Sequence, residues 1–367
     1  MICIKKYMSE LKQFLDCTVG VLNYDGIVID STDDEMLDTK DENISAVLLA
    51  GDQIVKIGTK SYKLIEAKGY DPLVIFIAGT DKAAENYLQL ISRCLAASIR
   101  EENDYHLKEV FLKNVLLENE LPGDIALKAK ELDIPYAIPR LVMLVKGQSV
   151  DSLTLIKTLN EIFPVDKSDY VLPLDENTIA ILLDASENHD LDTYEEMARG
   201  ILAQLVTDHL ISARIGIGLI ADTLKEAARS YREAVLSLTV GNIFEPASYL
   251  MRYDRLGLGR LIYQLPPTLC EMFLQEVFKP GAYEALDRET LTTISKFFEN
   301  SLNGSETSRQ LFVHRNTLVY RLDKVQKITG LDLRNFDDAV LFKIAAMVKR
   351  YLERKESSRY YEQDSWW

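Results

Sequence analysis

The side chains best equipped for chemistry are concentrated between His314 and Lys327, in the run HRNTLVYRLDKVQK. Asn can bond the N6 and N7 edge of adenine and Arg the O6 and N7 edge of guanine, while Thr and Tyr hydroxyls hold phosphates. At 100° per residue, Leu318, Leu322 and Val325 form one apolar stripe that must face a core. Asn316, Tyr320 and Lys327 then project from the opposite side, flanked by Thr317 and Lys324. Arg315, Asn316 and Thr317 fall in the first turn, the part of a recognition helix that reaches deepest into the major groove. Two neighbours have competing readings. His314 stands at the break before the helix, where starting or packing the helix competes with base contact. Arg321 lies at the edge of the apolar stripe, where a structural ion pair competes with a phosphate contact. The sequence therefore predicts a DNA-contacting set of His314, Arg315, Asn316, Thr317, Tyr320, Arg321, Lys324 and Lys327, with Asp323 as solvated surface.

The elements around this run are those needed to hold it. Asn303 to Arg321 contains two short helical patterns separated by a tight break, the layout of a helix-turn-helix. Asp287 to Asn300 supplies a supporting helix closed by Asn303-Gly304, and an apolar helix follows from Ala339 to Leu352. The strings LFVHRNTLVYRL and TGLDL, at their offsets from that last helix, resemble the C-terminal domain of the PucR/CdaR family of bacterial transcription regulators. The resemblance implies operator DNA and a small-molecule effector as partners, with purines and sugar diacids among the family's inducers. Family members usually carry Ala in the first helix where this chain has Thr307 and Ser308, both still small enough for two helices to cross closely.

The chain has 367 residues, 47% of them apolar, enough for two or three domains with buried cores. No apolar run approaches the ~18 residues of a membrane span. The start, MICIKKYMSELKQF, lacks the apolar region of a signal peptide, so a cytoplasmic location is expected. Cys3, Cys17, Cys94 and Cys270 are scattered, as are His106, His189, His209 and His314, which argues for reduced thiols and against a metal site. The net charge is −15, yet residues 287–355 carry 13 Lys or Arg against 9 Asp or Glu, a local balance of +4 that leaves −19 elsewhere. Charges further apart than a Debye length of ~8 Å are largely screened, so a basic reader can hang from an acidic body.

The expected fold is α+β and multidomain. Residues 1–80 read as an α/β unit: a hairpin at Asn23, Asp25 and Gly26, a helical interval from Ile44 to Leu49, then strands at Gln53–Ile57, Ser61–Ala67 and Leu73–Ala78. That order resembles a PAS-like or GAF-like sensor. The acidic run from Asp33 to Glu42 reads as a solvated loop. Residues 81–138 are helical, and the repeat Leu88, Ile91, Leu95, Ile99 fits a dimerising strut or packing within one chain equally well. Residues 139–250 show strand-helix-strand-strand-helix-strand and a closing helix, the ferredoxin-like plan. Its order and the closing YREAVLSLTVG resemble the degenerate GGDEF-like domain of the same family. Residues 251–286 form a connector, 287–355 the all-α DNA-binding domain, and 356–367 a polar tail that frays, with Trp366 and Trp367 at its end.

A nucleotide cyclase on this plan needs glycines and carboxylates at the central hairpin turn and an acid after the first strand. This chain has Asp175, Glu176, Asn177 and Thr178 at the turn and Lys146-Gly147 after the strand, so no catalytic residue and no cofactor are expected. Gly216 and Gly218 mark close packing. Gly257 and Gly259 begin a G-x-G pattern that Ile262 breaks, with no strand expected before it. The leading expectation is a ligand-responsive DNA reader working as a homodimer or higher homo-oligomer without membrane attachment. A cyclic-dinucleotide or nucleotide enzyme, and a module whose C-terminal helices bind protein in place of DNA, are the alternatives.

Overall fold

The computed structural model describes residues 2–66, 71–162, 168–187 and 190–364. Ala67, Phe163, His189, Trp366 and Trp367 lie outside these residues, as does the Cys3 side chain. The chain divides into two compact units, Met1–Asn114 with Leu127–Ile134, and Val115–Ala126 with Pro135–Trp367.

In the first unit, α1 (Ile2–Phe14) leads into β1 (Val19–Leu22), β2 (Val28–Ser31), α2 (Ile44–Ala50), β3 (Val55–Ile57), β4 (Lys60–Ile65), β5 (Leu73–Ala78) and α3 (Lys82–Leu116). The strands form one antiparallel sheet ordered β2-β1-β5-β4-β3. The β1–β2 turn forms because the Asn23 side chain accepts from the Asp25 and Ile27 amides, at 3.0 and 2.9 Å. Gly26 sits there at φ +83°, where an added Cβ would lie 2.7 Å from the Asp41 carbonyl. Alternation along β5 covers both faces. Ile75 and Ile77 pack under α1 and α3, while Val74 and Phe76 pack with Ile44 and Val47 of α2.

The stripe Leu88, Ile91, Leu95, Ile99 is at most 3% exposed and buried against the chain's own sheet, so of its two readings packing within one chain is the one realised. One expectation is corrected in this unit: Asp41 is not part of a solvated loop, because it accepts from Tyr62 Oη at 2.8 Å and pairs with Lys60 at 3.3 Å. Burial alone would raise its carboxyl, but hydrogen bonds from Asn43 and Tyr62 and the charge of Lys60 leave it below the ordinary value.

After α4 (Ile125–Glu131), the second unit runs β6 (Arg140–Gly147), α5 (Ser152–Ile162), β7 (Tyr170–Pro173), β8 (Thr178–Asp184), α6 (Leu191–Thr207), β9 (Ala213–Ile217) and α7 (Ala227–Phe244). A fifth strand, β10 (Leu250–Arg252), pairs parallel to β9 and completes a sheet ordered β10-β9-β6-β8-β7. This strand takes up the start of the expected 251–286 connector. Met143, Ile181, Ile215, Leu155 and Ile201 lie in the core that α5 and α6 close over the sheet. The other face takes α7 at very short range. A Cβ on Gly216 would lie 2.5 Å from the Ala234 carbonyl, and one on Gly218 would lie 2.1 Å from that of Ser230.

Next come α8 (Gly257–Tyr263), α9 (Pro267–Val277, with proline at its first position), α10 (Arg288–Glu299), α11 (Gly304–Gln310), α12 (Arg315–Thr329) and α13 (Phe336–Asp364). A strand does precede Gly257, contrary to expectation. Gly259 nonetheless packs toward Phe244 and Val240, so it serves a helix crossing, while Gly257 takes φ +51° at the start of α8. α13 joins two cores. Phe342 and Ala345 pack with Ile294, Phe297 and Leu318, while Val348 and Tyr351 pack with Ile262 and Cys270. Its backbone stays helical through Asp364, beyond the expected start of a fraying tail.

Candidate nucleic-acid interface

The geometry of α10 to α12 follows from their capping residues. The Asp287 side chain accepts from the Thr290 amide at 2.8 Å and starts α10, and Asn303 accepts from the Ser305 and Glu306 amides, each at 3.1 Å, and starts α11. Ser301 and Leu302 take positive φ to turn the chain between them. Thr307 is fully buried at the crossing, its hydroxyl donating to the Asn303 carbonyl at 2.7 Å, so a side chain of this size fits there. The turn into α12 passes through Phe312 at φ +54°, a conformation bulky residues rarely adopt. His314 then caps α12, its Nδ1 accepting from the Asn316 amide at 3.3 Å, and Gly330 closes the helix at φ +85°.

This frame fixes the rotation of α12. Leu318, Leu322 and Val325 are at most 3% exposed and lie in one cluster with Ile294, Phe297 and Phe342. The helix consequently turns Arg315, Asn316, Thr317, Tyr320 and Lys327 outward, all exposed, and no ion pair holds any of them among the described residues. Arg315, Asn316 and Thr317 therefore form a polar triplet on the outward first turn.

The remaining three members of the set are placed otherwise. Arg321 is 20% exposed and donates to Glu289 at 2.7 Å and to Thr293 Oγ1 at 2.9 Å. Lys324 pairs with Asp287, and that bond, with those from Thr290, holds the Asp287 carboxyl well below the usual carboxylate range. His314 is engaged as a cap. Arg321 and Lys324 thus pin α12 to α10. Asp323 is paired with Arg334 at 2.9 Å. Sequence reasoning missed Phe312, 96% exposed beside the first turn of α12. The only sequence signal for it was its place in the break between two helical patterns.

In the middle domain, the β7–β8 turn is tied down by one internal bond and by two from the end of β6 and the start of α5. Asp175 accepts from the Asn177 amide at 2.9 Å, the Asn177 carbonyl from Gly147 at 2.8 Å, and the Glu176 carbonyl from Ser152 at 2.7 Å. A phosphate cradle needs amides pointing outward. Lys146 is exposed at the end of β6, where a metal-binding plan requires an acid.

Residues 290–348 match the family of the PucR C-terminal helix-turn-helix domain, and residues 118–240 match that of a GGDEF-like domain. The chain is 26% identical to the carbohydrate diacid regulator of Escherichia coli (strain K12) over 370 residues, 92% of this chain and 94% of that protein. It is 24% identical to the purine catabolism regulatory protein of Bacillus subtilis (strain 168) over 184 residues, 48% of this chain and 34% of that protein. To the proline-responsive transcriptional activator PutR of the same organism it is 26% identical over 179 residues, 47% and 43% of the two chains.

Proposed function

We propose that this chain, which belongs to the PucR/CdaR family of transcription regulators, reads operator DNA with α12 and adjusts that reading to a small metabolite. The observation that carries the proposal is the outward first turn of Arg315, Asn316 and Thr317 on a helix whose opposite stripe is buried. Arg315 and Asn316 read base edges; Thr317, Tyr320 and Lys327 hold the phosphate backbone; Arg321 and Lys324 set the helix angle through α10.

The first unit acts as the PAS-like or GAF-like sensor, a role supported by its single five-stranded antiparallel sheet with a helical insert after the second strand. The named effectors of the relatives, a carbohydrate diacid and proline among them, make small polar metabolites the class to screen. The middle domain transmits without turning over nucleotide, a reading supported by the glycine-free β7–β8 turn, whose Asn177 amide is taken by Asp175, and by Lys146. No described helix is long and apolar enough to cross a membrane. A homodimer presents two α12 helices to half-sites about one helical turn apart.

The test is anisotropy of the full chain on mixed-sequence duplex DNA across a salt series. A DNA reader gives an affinity that falls linearly in log-log form with salt, and a folded Arg315→Ala/Asn316→Ala double variant loses sequence preference. Salt-independent or absent binding, or GTP turnover with Mg²⁺, would refute it.

A further inference from the structure

A cavity of the second unit lies between the paired ends of β6 and β9 and the last helix. It measures about 810 Å³ and is bordered by Lys146, Arg214, Tyr263, Tyr351, Arg354 and Lys355. Four of these carry positive charge, and none of the described residues lining the cavity is acidic. Lys146 and Arg214 are direct partners across the antiparallel β6–β9 pair, so their side chains leave the same face of the sheet. Like charges placed directly opposite one another in a sheet oppose folding. Arg354 and Lys355 add two more from α13.

The cationic groups are positioned as well as numerous. Arg214 donates to Asn242 Oδ1 at 3.0 Å and to the Pro246 carbonyl at 2.7 Å, and its guanidinium lies over the Tyr249 ring. Lys355 Nζ donates to Tyr351 Oη at 3.0 Å, and the Tyr351 ring stands edge-on to Tyr263 at 5.9 Å. These contacts hold charge against self-repulsion at a cavity whose volume suits a small organic ligand. Lys355 lies 10 residues along α13 from Ala345, ~15 Å at helical rise, and Ala345 shares a core with Leu318 of α12.

We propose that this cavity binds a small organic polyanion, a molecule carrying two or more phosphate or carboxylate groups, between β6–β9 and the turn of α13 that carries Tyr351, Arg354 and Lys355. The tyrosines and the Leu238 and Ile243 side chains receive its apolar part. Because α13 also carries Phe342 and Ala345 of the core that orients α12, occupancy of the cavity biases the DNA-reading helix. That consequence rests on the function proposed above; the binding itself does not.

The experiment is calorimetry of the full chain at constant ionic strength with pyrophosphate and with adipate, using acetate and xylitol as monovalent and neutral controls. The expected result is saturable binding of at least one dianion, one per chain, with no heat from either control. Whichever dianion binds, or binds more tightly, identifies the group chemistry. Lys146→Gln and Lys355→Gln, checked for folding by circular dichroism, are each expected to weaken that dianion about tenfold or more. Failure of both dianions to bind at ~10 mM, or variants that bind as the parent does, would overturn the site. Variants that lose salt-dependent DNA affinity in anion-free buffer would also overturn it, by making the cluster a DNA contact. Calorimetric binding would survive a failure of the DNA-reading assignment, so the two proposals are judged separately.

Discussion

Replacing Arg321 by Met separates the two roles a basic residue can play at the edge of a recognition helix. The guanidinium reaches Glu289 at 2.7 Å and Thr293 Oγ1 at 2.9 Å, with the Arg side chain 20% exposed and the Glu side chain 78% exposed. Hydrogen bonds to a charged group contribute ~1.5–3 kcal/mol when sheltered, and exposed ion pairs ~0–1 kcal/mol. This half-sheltered pair falls between them, at about 1–2 kcal/mol. Thr293 still donates to the Glu289 carbonyl at 2.8 Å, so its buried hydroxyl is not orphaned by the change. For a cooperative unit of this size each kcal/mol moves the midpoint by ~2–4 °C, which gives a drop of about 2–8 °C in a thermal melt of the full chain. A double-mutant cycle with Glu289→Gln should return a coupling of ~0.5–1.5 kcal/mol. The salt dependence of DNA binding by folded Arg321→Met should match the parent. An unchanged melting temperature together with a salt slope reduced by about one unit would refute the ion-pair assignment and make Arg321 a phosphate contact.

Three further outcomes follow from other parts of the fold. Arg252→Met removes one of three guanidinium partners of Glu195, whose side chain is 10% exposed and accepts from Arg252 at 2.8 Å; Arg199 at 2.5 Å and Arg255 at 2.6 Å remain, so the change should cost about 1.5–3 kcal/mol in urea unfolding. Burial alone would raise the Glu195 carboxyl, but its bonds from Arg252 and Arg199 leave it lowered. Its contribution is accordingly full above the ordinary carboxylate range and is lost as pH falls through the lowered folded value; acid titration of stability in parent and variant should converge there. Gly218→Ala places a Cβ 2.1 Å from the Ser230 carbonyl, and a loss of about 1–3 kcal/mol or more is expected, whereas a neutral effect would contradict the close approach of α7 to β9. Lys327→Ala should weaken binding to all duplexes alike and lower the salt slope by about one unit per chain, without altering sequence preference.

Residues with a local signature were readable from the sequence. The 3.6-residue spacing of Leu318, Leu322 and Val325 fixed which face of α12 is buried, and the alternating order of elements from Arg140 to Phe244 matched the ferredoxin-like sheet. What escaped depends on contacts distant in sequence. Periodicity showed that Leu88, Ile91, Leu95 and Ile99 share a face of α3, but not that the face belongs to the chain's own sheet. The partners of Arg321 and Lys324 are 32 and 37 residues away, so the edge of the stripe could suggest an ion pair for Arg321 without naming its partner, and nothing local marked Lys324 as occupied. β10 is three residues long and takes its identity from pairing with β9. The basic cavity draws Lys146, Arg214 and Lys355 from three distant segments and is invisible before folding.

The central claim, that the first turn of α12 reads bases, is tested most directly by selecting duplexes from a random pool with the parent chain and then measuring Asn316→Ala and Arg315→Ala on the selected sequence. The geometry predicts a cost of about 1–3 kcal/mol for each variant and a relaxed preference at one position of each half-site, while both variants stay folded. Leu318→Ala, which removes a buried stripe residue, should instead destabilise the domain by about 2–5 kcal/mol with no base-specific signature. Folded Asn316→Ala and Arg315→Ala proteins that keep both the parent's affinity and its preferred sequence would contradict the account.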